Sequence, residues 1–350
     1  MQRRSILRAV AAGSLLVAAR PLWAVRGPTP VLLSASWAED SHWQAGALDG
    51  QPIALPARAH VVIPDPRRHG EAIVVARRPG YFLARIDWQR GRRKQLLEID
   101  NDRNLVGHAA FNADGRLLLT AETDERRGQG RLVVRDAVTL RPLRDFPSYG
   151  IGPHEMVWLD GYTLAVANGG ILTLPETGRL KRHDQPMDPS LAIVDIRDGR
   201  LLAEYRLPDP QLSIRHLARC ADGTLGAALQ FEGQGSAPLL ALLREGQFRL
   251  LDGAIHGWDA LGGYAASVAA RGNTLLLSAP RGHRVASWSS DGTPQASTAL
   301  HKAQGLAALP QGWLVSGEAG QLWQLAGDTL AVQQSRTYRG VHWDNHLTVV

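Results

Sequence analysis

The sequence predicts an all-β fold, a seven-bladed β-propeller closed by a blade shared between the N- and C-termini. Three observations carry this expectation. Short apolar runs rich in Val, Leu and Ala are separated throughout by Gly, Asp, Pro and Asn, and no long segment follows a helical period. A unit with a fixed internal spacing recurs along the chain, as in repeat architectures. The two ends each hold part of one further unit. The chain has 350 residues, 44% apolar and 21% charged, enough for a packed core and ordinary for a globular protein.

Residues 1–24 stand apart from the repeat. MQRRSILRAVAAGSLLVAARPLWA carries Arg3, Arg4 and Arg8, an apolar stretch from Ala9 to Ala19, and a small residue, Ala24, suited to a cleavage site. It reads as a signal peptide cleaved near Ala24. The apolar stretch is too short to span a bilayer, so no permanent membrane anchor is expected. RRSIL resembles the twin-arginine export signal, although Gln2 stands where Ser or Thr is usual; the resemblance implies export of a folded protein to the periplasm. An ordinary secretory signal is the alternative. Without the four arginines of this segment the formal charge falls from +6 to +2, too balanced to suggest a nucleic acid partner.

Residues 25–350 form the predicted propeller domain. Aligned on the turn between the first two strands, three units read HAAFNADGRLLLTAET from 108, HEMVWLDGYTLAVANG from 154 and HLARCADGTLGAALQF from 216, with Asp-Gly six residues after each His. Two more, AASVAARGNTLLLSAP from 265 and GLAALPQGWLVSGEAG from 305, fit without the histidine, and HVVIPDPRRHGEAIVVAR from 60 has a longer turn. Starts spaced by 48, 46, 62, 49 and 40 residues suit four-stranded blades. At the ends, NHLTVV from Asn345 reads as an inner strand without partners, and residues 30–50 read as second and third strands without a first. Joining them makes a seventh blade with no unpaired sheet edge. Six or eight blades also fit the spacing.

In a propeller the first strand of each blade lines the central channel. The column at its head is His60, His108, His154, His216, Ala265, Gly305 and His346. Five of seven positions are histidine in a chain with only 12, and the five fall in neighbouring blades. Seven residues past the turn glycine, at the end of the second strand, the column reads Glu122, Asn168 and Gln230. Neutral imidazoles on rigid strands suit Zn, Cu or Fe, with Glu155, Glu122 and Asp344 as acid ligands or as acceptors that fix the imidazole tautomers. Arg215 could clamp a carboxylate or phosphate, but strict alternation turns it to the sheet face opposite His216. The bland alternative for the column is a histidine that bonds a neighbouring blade's backbone and binds nothing.

Other signals exclude more than they assign. Cys220 is the only cysteine, so the chain has no C-x-x-C-H haem attachment and no internal disulfide; in HLARCAD it reads as a buried apolar residue. No P-loop, G-x-S-x-G or H-E-x-x-H occurs, which leaves nucleotide binding, a hydrolase elbow and a zincin unsupported. Most tryptophans lie in or near predicted strands and read as packing between blades.

At GIGPHE, VANGGI, LSIRHL and HWDNH the sequence resembles a bacterial exported family known as domain of unknown function 1513, over about Ser34 to Val350. The resemblance implies a propeller-like repeat and a role in periplasmic metal acquisition beside imelysin-type iron-uptake proteins. Its motifs fall here on Gly107, His108, Pro153, His154, Glu155, Asn168, Arg215, His216, Asp344 and His346, with Ala109-Ala110 departing from a small Gly common after the histidine. The reading is a periplasmic propeller that binds a transition-metal ion or metal complex and is accessory to iron or copper acquisition. Two alternatives stay open: a metal-dependent enzyme, lactonase-like hydrolase or oxidoreductase, and an interaction scaffold with no metal.

Overall fold

The second strands are largely apolar and covered on both faces: Glu71–Ala76, Thr163–Asn168 and Thr274–Ala279 are buried at all but their first residue. The outermost strands, such as Arg200–Tyr205, instead alternate between exposed and half-buried positions. Between first and second strands the Asp-Gly turns close on themselves. Asp114, Asp160 and Asp222 accept the backbone N–H two residues on, at 2.9, 2.8 and 3.0 Å.

These strands form seven antiparallel sheets in a computed structural model that describes residues 30–38, 42–100, 102–171 and 186–350. The signal peptide expected over residues 1–24 lies outside the described residues. Six sheets have four strands in sequence order: blade 2 (residues 59–98), blade 3 (103–147), blade 4 (153–205), blade 5 (212–250), blade 6 (267–299) and blade 7 (303–337). In blade 1, Leu32–Ala38 pairs on one side with Trp43–Ala47 and on the other with Val341–Trp343 and Thr348–Val349. The seven-bladed β-propeller read from the sequence is therefore the observed fold. Among the described residues the one helical element is a 3-10 turn at Asp259–Leu261. No described helix is long and apolar enough to cross a membrane.

The core lies between blades. Leu33, Ile73, Leu83 and Leu105 join blades 1 to 3, and Leu240, Leu261, Leu275 and Trp288 join blades 5 and 6. Trp288 and Trp313 are wholly buried, and Trp288 stacks on Trp258 with centroids 5.6 Å apart. Cys220 is buried in the same cluster, as expected.

The first strands are irregular at the residues that matter. Their ladders break between Ala59 and Val61, Leu105 and Ala109, Pro153 and Met156, Ile214 and His216, and Ala303 and Leu306. In blade 1 the C-terminal pairing stops at Trp343 and resumes at Thr348. The head of the C-terminal inner strand is thus Val341 rather than Asn345. His60, His108, His154 and His346 all sit in these breaks, and His216 sits at the edge of one. A bulge leaves residues out of the ladder and re-aims their side chains, here toward the channel.

Candidate metal centre

Four bulges and the gap in the C-terminal strand deliver five imidazoles to one place. Ring centroids lie 4.5 Å apart for His60 and His346, 4.7 Å for His108 and His346, 4.9 Å for His108 and His154, and 4.6 Å for His154 and His216. Two triads, His60–His108–His154 and His108–His216–His346, each offer nitrogen atoms all within 4.8 Å of one another. Tetrahedral zinc would draw such nitrogens to about 3.3 Å apart, a modest contraction. His108 belongs to both triads, so it is the hub of the cluster.

Close packing here depends on Gly107. Its φ is +111°, and a Cβ on it would lie 2.5 Å from Cδ2 of His60. Only glycine takes this conformation without strain and lets the strand of blade 3 reach the His60 ring.

Carboxylates hold two of the rings from behind. Nδ1 of His60 lies 2.6 Å from Oδ1 of Asp344, a separation that requires a proton between them, so the ring donates from Nδ1 and leaves Nε2 a lone pair. Arg58 donates from Nε to the same carboxylate at 2.7 Å, Asn345 from its backbone N–H at 2.8 Å, and Arg77 joins them. Nδ1 of His216 donates to Oε2 of Glu155 at 3.0 Å, and the backbone N–H of Leu217 bonds that oxygen at 3.0 Å. Oε1 of Glu155 stands 3.8 Å from Nδ1 of His108. Such carboxylate–histidine pairs fix the tautomer and raise ligand basicity at metal sites.

Burial keeps the imidazoles neutral. It is the largest cause holding the pKa of His60, His108 and His154 well below 6.5, aided at His60 by Arg77 and at His154 by His216. His216 is pushed down to about 3 by burial and Arg215, and His346 to about 4 by burial and His216. Nε2 of His108, Nδ1 of His154 and Nε2 of His346 are buried with no hydrogen-bond partner among the described residues. None of the five rings bonds a backbone carbonyl among the described residues, so the packing-histidine alternative finds no support. Neutral imidazoles with buried, unused lone pairs are the donor set a borderline transition metal takes, and the residues fit such an ion.

The remaining site residues named from the sequence divide. Glu155 and Asp344 join the cluster. Glu122 does not: its wholly buried carboxylate accepts from Arg135 at 2.5 Å and Thr120 at 2.6 Å inside blade 3. Asn168 is likewise absorbed, donating to the Ser148 carbonyl at 3.0 Å and Ser190 Oγ at 3.2 Å, and accepting from Ser148 Oγ at 2.9 Å. Gln230 donates to the Ala265 carbonyl at 3.1 Å and lines a cavity at the cluster. Arg215 overturns the alternation argument. The bulge between Ile214 and His216 takes it out of the ladder, so it lines the same cavity as its neighbour.

That cavity, of about 440 Å³, receives residues from all seven blades, among them His60, His154 and His216. Arg58, Arg77, Arg281, Tyr264 and Glu318 also line it and were not named from the sequence. A signal for one of them existed. Seven residues past Gly70 is Arg77, the same count that selects Glu122, Asn168 and Gln230.

Fold and site together define a β-propeller with a histidine cluster at the channel. A family model described as protein of unknown function (DUF1513) matches residues 53–350. The chain belongs to that family. No curated protein matches it. Among solved structures it is similar to BamB from Moraxella catarrhalis, with TM-score 0.57 and 11% identity over 90% of this chain and 85% of that one. A chain of the mitotic checkpoint complex also matches, with TM-score 0.57 and 13% identity over 79% of each. At these identities the likeness concerns the fold alone.

Proposed function

We propose that this protein binds one transition-metal ion through the imidazoles at its channel, in the periplasm, and serves metal acquisition as a binding or accessory protein. The observation that carries this is the set of three orphaned ring nitrogens, on His108, His154 and His346, buried among five neutral imidazoles. Donors of this kind favour iron, copper or zinc over the oxygen-seeking calcium and magnesium. His60 and His216 would present Nε2, oriented by Asp344 and Glu155. The periplasmic setting is supported by the export pattern of residues 1–24, and partnership with imelysin-type iron-uptake proteins by the family resemblance.

Metal analysis by mass spectrometry on tag-free protein exported by its native host tests this. Stoichiometric metal in wild type and none in a folded His108→Ala variant is the expected result, since that ring serves both triads. Equal, trace metal in both would sink the reading.

A further inference from the structure

The cavity beside the imidazoles is a second kind of site. Among the described residues five arginines line it, against one carboxylate, Glu318. Part of that charge is engaged: Arg58 and Arg77 share the one carboxylate of Asp344, while Glu318 is taken by Lys302 at 2.8 Å. Arg215 has no such match. The residue is 2% exposed and its Nε is buried without a hydrogen-bond partner; among the described residues no carboxylate forms an ion pair with it, and Glu232 is the acid whose charge acts on it without one. Gly169 makes the room it occupies, because a Cβ there would stand 3.0 Å from Nη1 of Arg215.

Burying a guanidinium without an ion-pair partner is costly, and a protein with no use for it gains by replacing it with an apolar side chain. Planar donors of this kind bind carboxylate or phosphate bidentately. A second station stands at the more exposed rim, where the Arg281 guanidinium lies 4.6 Å from the Tyr264 ring centroid and forms no ion pair among the described residues. Gln230 and Tyr264 line the wall beside them.

We propose that this cavity binds a small molecule bearing two or more oxyanion groups, carboxylate or phosphate, with Arg215 as the buried anchor and Arg281 as the rim contact. The inference goes beyond metal binding and does not depend on it, since Arg215 lacks a partner whether or not the imidazoles hold an ion. It also explains why the channel keeps a cation beside histidines that it further holds neutral.

Calorimetric titration of chelator-stripped protein at fixed ionic strength tests the site, with citrate, malonate and pyrophosphate as separate probes. Saturable one-to-one binding of at least one is expected, and the tightest names the oxyanion class. Arg215→Met should weaken that probe at least about tenfold, and Arg281→Ala a few-fold. Arg215→Met should also raise the unfolding midpoint of the ligand-free protein, because it removes an unpaired buried charge. A purely structural arginine would lower that midpoint and leave affinity unchanged, which would overturn the proposal. So would the absence of saturable heat from all three probes at millimolar concentration. If Arg215→Met does not fold, the Arg281→Ala titration decides, and unchanged affinity there counts against the site.

Discussion

Blades 1 to 5 and blades 6 and 7 share one strand plan and differ at the channel wall. In the first group each inner strand breaks its ladder at or beside a histidine. Blade 6 keeps an unbroken ladder over Ser267–Arg271, and wholly buried Ala265 just precedes it. Blade 7 has the bulge, at Gln304 and Gly305, but no room for a ring: a Cβ on Gly305 would lie 3.0 Å from the Leu347 nitrogen and 2.9 Å from Ser316 Oγ. The C-terminal segment bearing His346 fills that space. A bulge or gap therefore re-aims backbone in six blades, and it becomes a ligand position only where a neighbour leaves the side chain free.

Acid should separate the two groups most strongly. The five imidazoles have pKa values depressed in the folded state, mainly by burial, to about 3 for His216 and about 4 for His346. As pH falls below about 6.5 the unfolded chain takes up protons that the folded chain refuses. Stability is thus full above that pH and drains away as pH approaches the folded values, at about 1.4 kcal/mol per pH unit for each histidine. Metal-free protein should show a steep fall in unfolding midpoint between pH 6.5 and 4. Amide exchange, corrected for intrinsic rate, should rise first in the inner strands of blades 1 to 5. A flat midpoint across that range would mean the cluster is not buried as a unit.

Next in size is Asp344→Ala. The wholly buried carboxylate is held by Arg58, Arg77 and His60, so its loss leaves buried donors unmatched and should cost about 3–5 kcal/mol, read by denaturant unfolding. A cost near zero would show that the two arginines find other partners in the cavity.

The histidine column was legible because repeat spacing fixes depth along the channel whatever the local backbone does. Side-chain direction was not legible, because alternation assumes an unbroken ladder. Arg215 was assigned to the far face on that assumption, and one extra residue in the strand reverses it. Glu122 fails differently. It has the right depth on its strand, but Arg135 lies one strand further out and takes the carboxylate, a contact that no turn count contains. The rim arginines were missed because Arg58 and Arg281 lie outside the strands, where the repeat carries no register.

Two glycines sharpen the comparison at about 1–3 kcal/mol each. Gly107→Ala adds a Cβ against the His60 ring at a backbone angle suited to glycine, so it should lose both stability and metal affinity. Gly305→Ala crowds the Leu347 backbone and Ser316, so it should lower the unfolding midpoint while metal stoichiometry stays as in wild type. Loss of metal in the second variant would mean that the position of His346, rather than the choice of residue in blade 7, limits the cluster.

The smallest expected effect is the most specific. Glu155→Gln keeps an oxygen that can accept from His216 Nδ1 and the Leu217 N–H but removes the negative charge that also faces His108. Outer carboxylates tune metal ligands by about tenfold to a hundredfold, and a substitution that preserves the acceptor belongs at the low end. Competition titration with a chromophoric chelator should show affinity reduced about tenfold, with little change in unfolding midpoint. Glu122→Gln is the matched control, because its partner is Arg135 in the body of blade 3, and it should change stability without changing affinity. If the two variants lost metal equally, the charge of the whole blade rather than the carboxylate behind His216 would set affinity, and the division between the two halves of the ring would lose its chemical basis.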